Sequence, residues 1–258
     1  MKKTLFKIGL LSISILPLNS IADHIKPKSG EIGKSGNLFH TNLKGLDLRN
    51  RDLSSTNLKN ADLSDSDLRN TNFNEANLSN TNLRDSDLRG ANLSGLDLRK
   101  TILSGANLSR ANLSGSNLGG LELKGAILKG ANMIKANLNG VDIRGANLRE
   151  ANLSEANLIG TDLRNAKVSK ANLSGANLSD SNLRGTSLSQ VNFRRSILKR
   201  ADLRNAKLVE ADLSDADLSD ANLRAANLSG VRANKLNGCP ILLPIRWVCE
   251  RNSLININ

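Results

Sequence analysis

The sequence predicts an all-β solenoid, a chain wound as a stack of short extended segments joined by corners, and three observations predict it. First, an apolar residue returns at every fifth position from Leu38 to Leu228 without insertion or deletion. Of these 39 centres 34 are Leu, and the others are Phe73, Met133, Ile143, Val168 and Phe193. Second, two residues before each centre stands a small residue in most units, with 20 Ala, 5 Ser and 7 Thr, and Asn or Asp usually fills the position between. The unit is well represented by Ala106-Asn107-Leu108-Ser109-Arg110. Third, Gly, Asn and Asp occupy most of the final positions, including 14 of the 20 Gly.

A period of five fits neither the 3.6 of a helix nor the 2 of a strand, and a long helix would smear it around every side. A short extended segment followed by a corner does fit. Residues two apart on an extended segment point the same way, so the small residue and the centre face inward while the Asn or Asp between them faces out. The corner then resets the phase, using residues that tolerate the positive φ of many turns. Coils of this kind pair their backbones with the coils above and below.

The repeated strings ANLSG, ANLSE and ADLSD resemble the pentapeptide repeat family, and the resemblance covers about three quarters of the chain. It implies a right-handed quadrilateral β-solenoid (β-helix) with four pentapeptides per coil. The 39 units then make about ten coils, a rod about 47 Å long at a spacing of roughly 4.8 Å. Two coincidences agree with a 20-residue coil. Phe73, Met133 and Phe193 lie 60 residues apart, and Lys124, Arg144, Arg164, Arg184, Arg204 and Arg224 recur every 20. The organisation expected is a signal peptide at 1–22, a flexible leader at 23–35, the solenoid at 36–230 and a small C-terminal cap at 231–258.

The first of these segments rests on its own signals. Lys2, Lys3 and Lys7 make a basic opening, Ile8 to Leu18 is an apolar run, and Ser20-Ile21-Ala22 places small residues where a signal peptidase reads them. This is the pattern of a secretory signal peptide, with cleavage after Ala22 and a periplasmic or secreted bacterial product. The apolar run is too short for a permanent membrane span, so no transmembrane segment remains after cleavage. An uncleaved amphipathic start is the competing reading. Asp23 to Ser35 is polar, with Pro27, Gly30 and Gly33, as a flexible leader would be.

Within the array, each centre packs on the centres above and below, which explains how a core forms with only 2% aromatic residues. The net charge of +12 invites a nucleic-acid partner, but residues 1–35 carry +4 and residues 231–258 carry +3, leaving +5 for the array. A rod so mildly basic, without outward aromatics, lacks the dense charge and stacking platforms of single-strand binders, so nucleic acid is not the partner expected.

The charge is uneven. The residue after each centre faces outward, and in the column that starts at Lys44 it is basic in 8 of 10 units. Lys124, Arg144, Arg164, Arg184, Arg204 and Arg224 of that column form the candidate face for an anionic partner, a protein or an envelope component, because stacked guanidinium groups suit phosphates or carboxylates. The competing reading is self-neutralisation, since an acid stands two residues earlier in Asp142/Arg144, Asp162/Arg164, Asp202/Arg204, Glu122/Lys124, Asp47/Arg49, Asp67/Arg69 and Asp87/Arg89. Arg184 and Arg224 follow Asn182 and Asn222 instead and are the least neutralised.

Beyond Gly230 the composition changes and supplies the only Trp, Trp247, together with Cys239 and Cys249. A bare solenoid end exposes its Leu stack and unpaired edges, so a hydrophobic cap is expected there. In an exported protein, two Cys ten positions apart point to a disulfide. A redox or metal role is the alternative, though the spacing is not C-x-x-C and His24 and His40 lie at the other end. No catalytic constellation appears: the many Ser belong to the repeat and neither His has a triad setting. The expectation is a non-enzymatic, cofactor-free and metal-free structural or interaction scaffold. The alternative that the resemblance implies, a DNA-mimicking protein that protects gyrase from quinolones, requires an acidic cytoplasmic rod.

Overall fold

The computed structural model describes residues 35–257. The expected signal peptide and all but the last residue of the leader lie outside the described residues.

The five-residue unit is a complete hydrogen-bonding device, as the segment from Asn57 to Ala61 shows. Asn57 N–H donates to Gly36 O (2.9 Å), Leu58 N–H to Asn77 O (3.0 Å), Asn60 N–H to Ser79 O (3.0 Å), and Ala61 N–H closes the corner on Leu58 O (2.9 Å). The fifth donor, Lys59 N–H, finds no backbone carbonyl and goes to Asn57 Oδ1 (3.3 Å). All five backbone donors are thereby satisfied, as partly buried backbone requires. This accounts for Asn or Asp before the centre: its side-chain oxygen is the acceptor for the donor that the corner turns outward.

Every corner of the array but the one at Lys100 places its third residue at positive φ, 60° for Asn60 and 73° for Gly105, the φ pattern of a type II turn. Four corners return the chain over itself, and parallel bridges join residues 20 apart from Asn37↔Asn57 to Asp212↔Arg232. Each side contributes one bridged residue between corners, too short a run to be a strand.

Inside, the centres are stacked in columns. Leu43, Phe73, Met133, Leu148 and Phe193 are all fully buried. Such burial stabilises by roughly 1.5–3 kcal/mol per side chain. Thr at the small position can donate its hydroxyl to a Leu carbonyl one coil back, as Thr71 Oγ1 does to Leu48 O and Thr161 Oγ1 to Leu138 O, both at 2.8 Å. Among the described residues no buried side-chain nitrogen or oxygen lacks a partner.

The ladder opens at two places. The bridges expected at Asn77↔Asp97 and Ile102↔Glu122 are absent, together with the bonds from Leu78, Asn80, Leu103 and Gly105 N–H to the following coil. Both openings lie where the small inward position is taken by leucine, Leu96 and Leu121, each buried. A close-packed interior has no room for the extra volume, and the coil lifts away from the one before it. A recess of about 120 Å³ lined by residues 103–106 and 122–127 marks the second opening.

Stacking continues past the end of the motif. Asp217 pairs with Gly238, one residue out of the 20-residue step, and Asn222 pairs with Leu242. Ile241 N–H donates to Ala221 O (2.9 Å) and Leu223 N–H to Leu242 O (2.8 Å). The chain ends in a hairpin, β1 (Trp247–Glu250) and β2 (Ser253–Asn256), paired from Trp247↔Asn256 to Glu250↔Ser253. Arg251 and Asn252 both have positive φ, as a two-residue hairpin turn of type I′ requires. Leu254 is buried, and Trp247, Leu243 and Cys249 pack against the core. A disulfide joins Cys239 to Cys249, with Cα atoms 6.0 Å apart.

Candidate anion-binding face

The outward columns are built by the same unit. The residue before the centre and the residue after it flank each side, so an Asp at the first and an Arg at the second are neighbours on one surface. Arg144 reaches back to Asp142 with Nε–Oδ1 2.9 Å and Nη2–Oδ2 2.5 Å, and its Nε also lies 3.7 Å from Asp162 in the next coil. Arg164 holds Asp162 (Nη2–Oδ2 2.6 Å) and Arg204 holds Asp202 (2.6 Å). The side-chain hydrogen bonds of Arg144 and Arg204 are the main cause that keeps the carboxyls of Asp142 and Asp202 below the usual range. At Asp162 burial pushes the carboxyl up, but hydrogen bonds from the Arg164 side chain and backbone outweigh it and the carboxyl is again held low.

The six residues of the candidate face therefore divide. Arg144, Arg164 and Arg204 are neutralised by their own carboxylates. Lys124, Arg184 and Arg224 are exposed and make no ion pair among the described residues. The Glu122/Lys124 pair expected from the sequence is not formed. Two physical features separate it from the others: an ammonium lacks the two-point fork by which each Arg grips its Asp, and Glu122 sits at the opening made by Leu121. Asn182 and Asn222, in place of acids, accept from the backbone N–H of Arg184 (3.2 Å) and Arg224 (3.0 Å).

The same device repeats on the neighbouring side. Arg49 holds Asp47, Arg69 holds Asp67 and Arg89 holds Asp87, with Nη2–Oδ2 distances of 2.5, 2.6 and 2.5 Å. Asn columns elsewhere are self-sufficient: Asn92, Asn112 and Asn132 each donate Nδ2–H to the Oδ1 of the residue 20 earlier at 3.0 to 3.2 Å.

The sequence reading considered only the residue after each centre, and two of the exposed cations it passed over stand beside the candidate column. Lys167 and Lys207 occupy the position before the centre, where most units carry Asn or Asp, and neither makes an ion pair among the described residues. The substitution of Lys for the repeat's Asn or Asp was the available signal. No group of three or more His, Cys, Asp or Glu that could hold a metal occurs among the described residues. No helix among them is long and apolar enough to cross a membrane.

Comparison with known proteins returns a consistent picture. A family profile described as pentapeptide repeats (8 copies) matches seven overlapping segments that run from residue 37 to residue 232. The chain is similar to HetL, a pentapeptide repeat protein involved in heterocyst differentiation regulation from the cyanobacterium Nostoc sp. strain PCC 7120. The identity is 34%, over 81% of this chain and 91% of that one, with a TM-score of 0.31. It is also similar to alr5209, a pentapeptide repeat protein from Nostoc PCC 7120, at 35% identity over 36% of this chain and 80% of that one (TM-score 0.31). A trypsin-treated variant of QnrB1, a plasmid-mediated fluoroquinolone resistance protein, matches at 19% identity over 79% of this chain and 90% of that one (TM-score 0.38). No curated protein matches.

Proposed function

Because the chain belongs to the pentapeptide repeat family, we propose that it works without catalysis, as an exported rigid scaffold that presents a basic surface to an anionic component of the cell envelope. The observation that carries this reading is the division of the Lys44 column. Half of its candidate cations are held by carboxylates, and Lys124, Arg184 and Arg224 are left free to meet a partner. A side chain already fixed in a bidentate pair gains little from a further anion, so the free ones are the contacts.

The scaffold is a rod of about ten coils, closed at its far end by residues 231–258. The apolar hairpin and the Cys239–Cys249 bridge cover the last Leu layer and keep it from pairing with a second rod. A gyrase-protecting, DNA-mimicking role needs an acidic surface, and the unpaired cations weigh against it.

Cell fractionation with mass spectrometry of the mature N-terminus tests the reading. A chain that begins at Asp23 in the periplasm or medium is the expected result. An intact Met1 in the cytoplasm would overturn export and with it the choice of an envelope partner.

A further inference from the structure

On four successive coils the corner between Arg164 and Lys167 carries an alternating charge pattern. In the first, Arg164 is held by Asp162 and Lys167 is free. In the second, Asn182 stands where Asp162 stood, so Arg184 is free, and Ser187 replaces the lysine. The third repeats the first, with Arg204 held by Asp202 and Lys207 free, and the fourth repeats the second, with Arg224 free beside Asn222 and Asn227. The string Leu163-Arg164-Asn165-Ala166-Lys167 recurs as Leu203-Arg204-Asn205-Ala206-Lys207, two coils on.

Each coil therefore offers one unpaired cation, placed alternately on the two sides of the corner. Lys167, Arg184, Lys207 and Arg224 are all exposed. The bridges Lys167↔Ser187, Ser187↔Lys207 and Lys207↔Asn227 keep this row in register along the rod. The turn residues between the two sides, Asn165, Gly185, Asn205 and Ala225, bring no acid to the corner.

We propose that this corner binds a linear acidic polysaccharide lying along the rod, with one carboxylate per sugar meeting one free cation per coil. The spacing decides between polyanions. Cations recur about every 4.8 Å, whereas duplex DNA carries a charge every ~1.7 Å of its axis, or ~3.4 Å along each of its two strands. A duplex would leave most of its phosphates unmatched here, and a single strand would find no aromatic platform for its bases. A glycan chain has the sparser charge, and its hydroxyls find Asn165, Ser187, Asn205 and Asn227 between the cations.

The inference rests on the scaffold reading and narrows it to one partner class. Its test is the affinity of the full chain for fluorescent polygalacturonate, with neutral dextran and duplex DNA as comparisons at equal salt. The variant K167Q/R184Q/K207Q/R224Q is expected to bind polygalacturonate about tenfold more weakly, the equivalent of about 1.4 kcal/mol, with an unchanged circular dichroism spectrum. The variant K59Q/K100Q/R110Q/R195Q, which loses as many unpaired cations elsewhere, is expected to bind as the parent does. Equal loss in both variants, tighter binding of the DNA, or no binding of polygalacturonate each overturns the proposal. None of these touches the scaffold reading, which fractionation decides. A cytoplasmic chain that still binds polygalacturonate through these four residues would retire export and keep the corner.

Discussion

Arg49 grips Asp47 at two points, Nε–Oδ1 at 2.8 Å and Nη2–Oδ2 at 2.5 Å. Those side-chain hydrogen bonds, followed by the one from the Arg49 backbone N–H, hold the Asp47 carboxyl at about 2 against an ordinary 3.8. Because the folded value is the lower one, the pair's contribution to stability is complete above the ordinary value. It is lost as pH falls from 3.8 towards about 2. Carbon-detected titration of Asp47 should give the depressed midpoint, and Arg49→Gln should move it back up. A midpoint near 3.8 in the parent chain would show that the grip does not persist in solution.

The openings beside Leu96 and Leu121 should be visible in amide exchange. Leu103 and Gly105 lack the bonds to the next coil that Leu83 (2.8 Å) and Asp85 (2.9 Å) make on the same side. Their amides should exchange at least about tenfold faster, because local opening there breaks fewer contacts. Leu121→Ala should slow the exchange of both by letting the coil settle. Uniform protection along the side would count against a lifted coil.

Leu148 is fully buried in its column. Leu148→Ala should cost about 2–5 kcal/mol, and Leu148→Lys should abolish cooperative melting, since a charge would be desolvated without a partner. Thermal circular dichroism measures both. A melting curve left unchanged by the lysine would place residue 148 outside the core.

Insertions after Gly145 separate the five-residue phase from the 20-residue one. A single inserted residue turns every later centre outward and should prevent folding of residues 146–230. Five inserted residues keep the centres inward and shift each outward column by one side, so a folded but less stable rod is expected. Equal damage, read by the same melting experiment, would contradict the phase argument.

The Cys239–Cys249 bridge fastens the tail whose backbone already bonds to Ala221, Leu223 and Ala233. Replacing both cysteines with Ser should destabilise the tail by about 2–3 kcal/mol, while repeats far from it keep their protection because each coil contacts only its neighbours. Exchange mass spectrometry resolved by segment is the readout. Unchanged protection across residues 236–256 would show that the hydrogen bonds alone suffice.

The inward columns were legible because burial imposes one demand, an apolar residue every fifth position, on every unit alike. The outward chemistry was legible only where it is local. Asp142 with Arg144 and Asp202 with Arg204 are two residues apart, and pairing follows from spacing alone. Lys167 and Lys207 were missed because their meaning depends on Arg184 and Arg224 in other coils, across a corner. Leu96 and Leu121 meet the demand for an apolar residue; only the size of the space, set by the coil beneath, shows them to be too large. The Glu122/Lys124 spacing matched the Asp/Arg rule, yet the pair fails because it lacks the guanidinium fork.

The register of the bridges has a consequence for how such a chain can change. Within the repeat array every column, inward or outward, has a period of 20. Copying one whole turn of sequence lengthens the rod by about 4.8 Å and leaves each side with the chemistry it already had. Length and surface pattern are therefore inherited separately, as the scale and the markings of a ruler are, and a partner that reads one stripe can be met by a longer rod without any new contact being invented.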